Sequence, residues 1–217
     1  MKVSNATTSL AVSMLLAWST PLYAHPVTYP GNTMFMFEGS AKMQDFNAWY
    51  TFAPNHAAGV GWMGIKADDQ ARERRIANVH YNWRVRRWNF PDAQANIYLL
   101  GGLGYATGND FLGTKFTAMP GAQLDYETQR VYLGVRGHVT RSSAFHHNFS
   151  NAQFGWAPYK AEYEELAPWL VLDVRYTSNL GNKVEVTPMV RLIQKNFFVE
   201  AGVSIEGRPR FTLMVNF

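Results

Sequence analysis

Three groups of residues carry side chains able to do chemistry. Ser142, Ser143, His146 and His147 stand close together, and a hydroxyl within reach of an imidazole is the core of nucleophilic hydrolysis, here of a lipid if the loop sits at a membrane rim. That chemistry needs a third group to orient the imidazole, and only Asn148 is near; Ser and His in a polar loop are more often simply solvated. Met34 and Met36 share one strand face, with Met43 and Met63 nearby in sequence, and His146 adjoins His147. With His25, these offer soft and borderline ligands for a copper-type ion, though in no recognised spacing, and paired methionines are usually packing. The largest group is a set of charged and imidazole side chains at alternating positions: His80, Arg84, Arg136, His138, Asp173, Arg175, Arg191 and Glu200. Fixed guanidinium groups in a narrow water-filled bore lower the cost of an anion shedding its water. Gly101, Gly102 and Gly104 do not form a nucleotide loop, because no helix follows them; they read as space-making glycines in a strand.

The composition limits what can position these groups. The 217 residues include 20 Lys+Arg and 16 Asp+Glu, no cysteine, 15% aromatic and 17% charged residues. So many aromatics and so few charges exclude disorder, and the lack of cysteine excludes disulfides and thiolate metal centres. The basic residues are spaced singly, which argues against a nucleic-acid partner, and nothing in the sequence asks for a cofactor. Met1 and Lys2 open a positive region, Leu10 to Trp18 form an apolar stretch too short to span a bilayer, and Leu22-Tyr23-Ala24 resembles a small-residue cleavage site. The expected organisation is a cleavable leader over 1–24, a short periplasmic tail over 25–32, and one domain over 33–217.

That domain alternates with period two almost throughout. Ala77, Val79, Tyr81, Trp83 and Val85 interleave with Asn78, His80, Asn82, Arg84 and Arg86, and Val131, Leu133, Val135 and Val139 interleave with Tyr132, Gly134, Arg136 and His138. Turn residues divide the chain into strands at about 33–42, 45–53, 57–66, 74–87, 94–106, 115–126, 130–140, 148–158, 168–178, 184–194, 197–206 and 209–217. Only Asp68 to Arg75 and Lys160 to Leu166 could hold a helical turn. The strand at 148–158 has the thinnest pattern, but bacterial single-chain barrels have even strand counts, which favours twelve, with ten as the alternative. Strands of about ten residues suit a tilted membrane strand. Aromatics at strand ends, among them Tyr50, Trp83, Trp88, Tyr105, Phe116, Tyr126, Trp156, Trp169 and Tyr176, suit interfacial girdles. The fold expected is therefore an all-β, antiparallel, up-and-down transmembrane barrel.

The last strand carries a resemblance. Phe211, Leu213, Val215 and Phe217 lie on one face, and a terminal Phe preceded by apolar residues at every second position resembles the C-terminal signal of bacterial outer-membrane β-barrel proteins. The resemblance implies residence in the bacterial outer membrane, with both termini periplasmic and with lipid and the assembly machinery as partners. In size the chain also resembles small twelve-stranded channels for acidic sugars, a likeness of architecture alone. In this register the bore also receives Glu38, Arg86, Asp125, Arg130, Glu185 and Glu206. Arginines there either select small anions or pair with Asp173, Glu200 and their neighbours in a neutral network, and near-equal numbers of acids and bases favour the second. The expected function is a narrow passive channel for small polar or anionic solutes, or a closed structural barrel, and not an enzyme; a metal-linked barrel and a lipid hydrolase are the alternatives. The turn Lys195-Asn196 sets Arg191 opposite Glu200 and Met189 opposite Gly202. Val135→Arg is expected to impair assembly, and Gly134→Ser to be mild.

Overall fold

The computed structural model describes residues 25–67, 71–178 and 184–217, so the leader expected over 1–24 lies outside the described residues. Thirteen strands follow one another: β1 (Thr33–Ser40), β2 (Met43–Ala53), β3 (His56–Lys66), β4 (Glu73–Asn89), β5 (Ala93–Gly108), β6 (Lys115–Ala118), β7 (Gly121–Thr128), β8 (Val131–Ser142), β9 (His146–Trp156), β10 (Ala167–Thr177), β11 (Val184–Gln194), β12 (Phe197–Val203) and β13 (Pro209–Asn216). Apart from β6 and β7, each pairs antiparallel with its chain neighbours, and β13 returns to β1 with Phe35 opposite Val215 and Phe37 opposite Leu213, which closes the sheet on itself. β6 and β7 both lie between β5 and β8 in a single register, interrupted only where Pro120 has no N–H to give. They are two halves of one stave, and the barrel has twelve. The strand with the thinnest pattern is among them: β9 pairs along its length with β8 and β10. The connection 157–166 is made of turns, not helix.

Burial is inverted relative to a water-soluble sheet. Val79, Leu103, Val135 and Leu170 are 55% or more exposed, whereas Asp173, Arg191 and Glu200 are 2% exposed or less. A wall that shows Val, Leu and Phe outward and hides its charges is stable only against hydrocarbon. Aromatics ring this wall near the end that holds the termini, with Tyr50, Phe52, Trp83, Trp88, Tyr126 and Trp156 exposed, and near the far end, with Trp62, Tyr105, Phe116 and Phe211 exposed. Trp169 departs from the expected girdle. It shares the inward parity of Val171 and Asp173 and is 2% exposed, inside the bore.

A bulge corrects a second expectation. The register between β4 and β5 slips between Arg84 and Arg86, so Arg84 stays inward opposite Tyr98 while Arg86 turns outward opposite Ile97 and lies 5.6 Å from the Trp88 ring. Arg87 takes the inward place and donates to Asn96 Oδ1 at 2.7 Å. Two further residues expected in the bore lie at its ends. Arg130, in a turn, donates from Nε to the Ala157 carbonyl, and Glu206, beyond β12, pairs with Arg208. A Cβ on Gly134 would stand 2.5 Å from the Tyr132 hydroxyl, so Gly134→Ser requires the end of that ring to shift.

Apolar side chains gather inside the bore toward both ends. Near the termini, Val27, Met34, Tyr98, Trp169, Ile193 and Phe198 belong to one cluster; near the far end, Met63, Ile65, Ile76, Ala106 and Phe145 form another. Val27 precedes the first strand, so part of the segment expected to trail outside the barrel is folded into it. The two-solvent wall makes Val135→Arg costly by about 2–4 kcal/mol, as for a cation at mid-bilayer. Val135→Leu should assemble normally, and the two are compared by the yield of the heat-modifiable folded band in outer-membrane fractions. Equal yields would mean that this face does not meet lipid.

Candidate functional site

The inward positions of β1, β8, β10, β11, β12 and β13 build a belt of charge at mid-height. Asp173 is fully buried and is its centre: Arg210 donates to both carboxylate oxygens, Asn151 donates at 2.6 Å and Gln153 at 2.8 Å. Arg191 donates to Glu200 at 2.6 Å and to Gln153 Oε1 at 3.0 Å, as the hairpin arithmetic requires, and Met189 lies opposite Gly202. A Cβ on Gly202 would stand 2.2 Å from the Pro188 carbonyl oxygen and 2.7 Å from Met189 Cγ, so the glycine makes room for both the neighbouring backbone and the methionine. Arg175 pairs with Glu38, and Arg210 approaches the same carboxylate at 3.3 Å. Rings steady the guanidinium groups, with Arg191 5.1 Å from Tyr132 and 4.9 Å from Phe198, and Arg175 4.9 Å from Phe149.

Of the arginines expected to line a constriction, Arg136, Arg175 and Arg191 face one cavity of about 100 Å³. Arg84 does not join them: it is tied to the β2–β3 turn, donating to the Pro54 carbonyl and to Asn55 Oδ1. Arg210 joins instead. Its parity, opposite to that of Phe211, Leu213, Val215 and Phe217, marked it as inward. The latter four do share the outer face, as their spacing implies, with Phe211, Leu213 and Phe217 exposed.

A second cavity of about 100 Å³ adjoins the first, with Met36, Gln123, Arg136 and Met214 lining both. His80 and His138 face it, His138 stacked on Phe149 at 4.7 Å. Its floor is the N-terminal segment. His25 reaches Glu127 at 3.1 Å and Asp125 at 3.5 Å and stacks on Tyr98, the Pro26 carbonyl accepts from Asn82 Nδ2 at 3.1 Å, and Thr28 bonds Thr51. Burial alone would lower the His25 pKa, but the two carboxylates outweigh it and raise it to about 9. The acids are braced in turn, Asp125 by Asn96 at 2.6 Å and Glu127 by Gln94 at 3.0 Å. Alternation places Asp125 inward, as expected, and the same parity could have flagged Glu127 beside it, but nothing local signals that His25 would meet them.

The loop histidines separate. His146 points outward, while His147 is buried, donating from Nδ1 to the Ser178 carbonyl at 3.3 Å and accepting from Arg74 at 2.8 Å. Both ring nitrogens of His147 are thus engaged by groups other than Ser142 or Ser143, and the His pair does not converge on a metal. Met34 and Met36 do both face inward, Met34 in the apolar cluster and Met36 in the cavity wall. Among the described residues, no three His, Asp or Glu gather as a metal site.

The closed ladder, the apolar outer wall and the charged bore define a transmembrane β-barrel of the bacterial outer-membrane class. No protein-family model matches the chain, and no curated protein is similar to it at a significant level. Among solved structures, the chain is similar to a KdgM porin, with 11% identity, a TM-score of 0.47, and coverage of 86% of this chain and 98% of that one. It is also similar to a KdgM porin in complex with disordered oligogalacturonate, at 12% identity and a TM-score of 0.46 over the same shares.

The belt makes a direct prediction. Asp173→Ala takes the two-oxygen partner from buried Arg210 and leaves it only the Glu38 carboxylate, a loss of about 3 kcal/mol. Asp173→Leu combined with Arg210→Met should recover most of it. The melting temperature of the folded band on unheated gels measures both, and a double variant as unstable as the single one would show that the pair is not the source.

Proposed function

We propose that the protein is a narrow channel through the outer membrane, held closed at its periplasmic end by its own N-terminal segment. The observation that supports this reading is the floor of the bore. Residues 25–28 fill it through a handful of polar contacts and one buried valine, whereas the staves of the wall are held to one another by backbone ladders. Above that floor lie two small adjoining cavities separated by side chains alone, a path for small polar solutes or ions and not for large ones. Selection for anions is modest in this reading, because Glu38, Asp173 and Glu200 offset Arg175, Arg191 and Arg210. The same neutral belt favours a second reading, a closed structural barrel.

Planar-bilayer recording separates the two. The wild-type protein should give small, infrequent current steps, and deletion of 25–28 should give larger, sustained ones; insertion without current in both would establish the structural barrel. Glu200→Gln frees Arg191 and should move the reversal potential toward anions, while an unchanged potential would remove Arg191 from the conduction path.

The histidine contact gives the path a pH dependence. His25 stays protonated to about pH 9 when docked, but only to about 6.5 when free. Its charge pairing with Asp125 and Glu127 is therefore complete below about pH 6.5 and is lost as pH rises through about 9. Wild-type conductance should rise between pH 7 and pH 10. His25→Ala should be open at pH 7 and flat across that range; a flat wild-type profile would show that the contact does not hold the segment.

A further inference from the structure

The distribution of methionine is the least expected property of this barrel. The sequence has nine, of which Met1 and Met14 lie in the leader. The other seven, Met34, Met36, Met43, Met63, Met119, Met189 and Met214, all turn inward. Methionine is apolar enough to face lipid, yet the exposed wall is built from Val, Leu, Phe, Tyr and Trp. The side of the sheet that a membrane barrel reserves for polar groups holds every described thioether.

Four of them converge. Met36, Met63, Met119 and Met214 line the cavity that rests on the N-terminal segment, together with His80 and His138. They come from different staves. Met36 is directly opposite Met214 across the closing seam, and Met119 folds over Gly102, where a Cβ would stand 2.9 Å from its terminal methyl. Methionine serves as a filler where a core has irregular gaps. Here four fillers surround about 100 Å³ and leave it open. His80 adds an independent sign: Nδ1 meets Asn78 Oδ1 at 3.2 Å, while Nε2 is buried with no hydrogen-bond partner.

We infer that this cavity binds a soft monovalent d¹⁰ cation, Cu(I) in chemical class, through thioether sulfur and imidazole nitrogen. Thioethers select Cu(I) and Ag(I) over harder ions, and they keep their ligand character without losing a proton. Hard or borderline divalent ions are poorly served, since the charged lining is Asp45 set against Arg136. The site stands apart from the channel reading: it needs a cavity, not a current.

The test uses the folded, detergent-solubilised protein and Ag(I), which needs no reductant. One Ag(I) per chain should remain after desalting, and X-ray absorption of the Cu(I)-loaded protein should show sulfur and nitrogen neighbours. Met36→Leu with Met214→Leu, which keeps volume and apolarity, should weaken binding about tenfold or more, as should His80→Leu. Met34→Leu and His146→Ala should leave it unchanged. Absence of stoichiometric binding, a metal shell without sulfur in the wild type, or binding that survives the cavity variants and is lost with His146 would overturn the proposal. Because these readouts do not depend on conductance, a silent bilayer with bound Ag(I) would refute the channel and keep the site.

Discussion

The pairing of β13 with β1 is the constraint on which everything else rests. In hydrocarbon an unpaired N–H or C=O has no water to turn to, so a sheet can enter the membrane only when its first and last strands satisfy each other. Once the ladder is closed, each strand faces two solvents that differ from the usual pair: lipid on one side and a bore of the protein's own making on the other. The outward alternation of Val, Leu and aromatics follows directly. The inward side is freer, because what a narrow bore holds depends on which side chains meet across it.

The chain fills that freedom in layers. Apolar clusters stand at the two ends and ion pairs lie between them, an order closer to the interior of a water-soluble protein than to an open pore. Burying so many charges is tolerable because the carboxylates are met by donors, Asp173 by three side chains and Glu38 by two arginines. The price is sensitivity, since removing a single partner strands a charge where water cannot reach it. The N-terminal segment completes the lower layer, with Val27 as the apolar hub and His25 as a cation placed against two acids.

Alternation made the wall legible from the sequence. Period two fixed the outward face and the twelve staves, and even the thin pattern of Ala152, Phe154 and Trp156 proved a true strand. Hairpin arithmetic was reliable too: Arg191 meets Glu200 because two residues join their strands. Failures came where one local feature broke a count or where contact crossed the bore. The bulge beside Val85 reversed the faces of Arg86 and Arg87, and no neighbour of Val85 announces it. Trp169 looked like a girdle residue because aromatics are at home at interfaces, yet parity with Asp173 already placed it inside. The docking of His25 joins residues about a hundred positions apart, and no local pattern encodes such a meeting.

The barrel is also uneven in height. β4 and β5 run for 17 and 16 residues, but β12 has 7 and β1 and β13 have 8 each. A strand needs about 9–11 residues to cross a bilayer at the usual tilt. The short strands lie side by side at the closing seam, and β5 stands four staves round from β1. Lipid beside the seam must compress to meet a low wall while lipid beside β4 and β5 can stretch, so the protein carries a permanent thickness gradient around its girth. Such a particle tilts, deforms the membrane most at its seam, and attracts whatever neighbour relieves that thinning, which makes its lateral company in the membrane a matter of shape before it is one of contact.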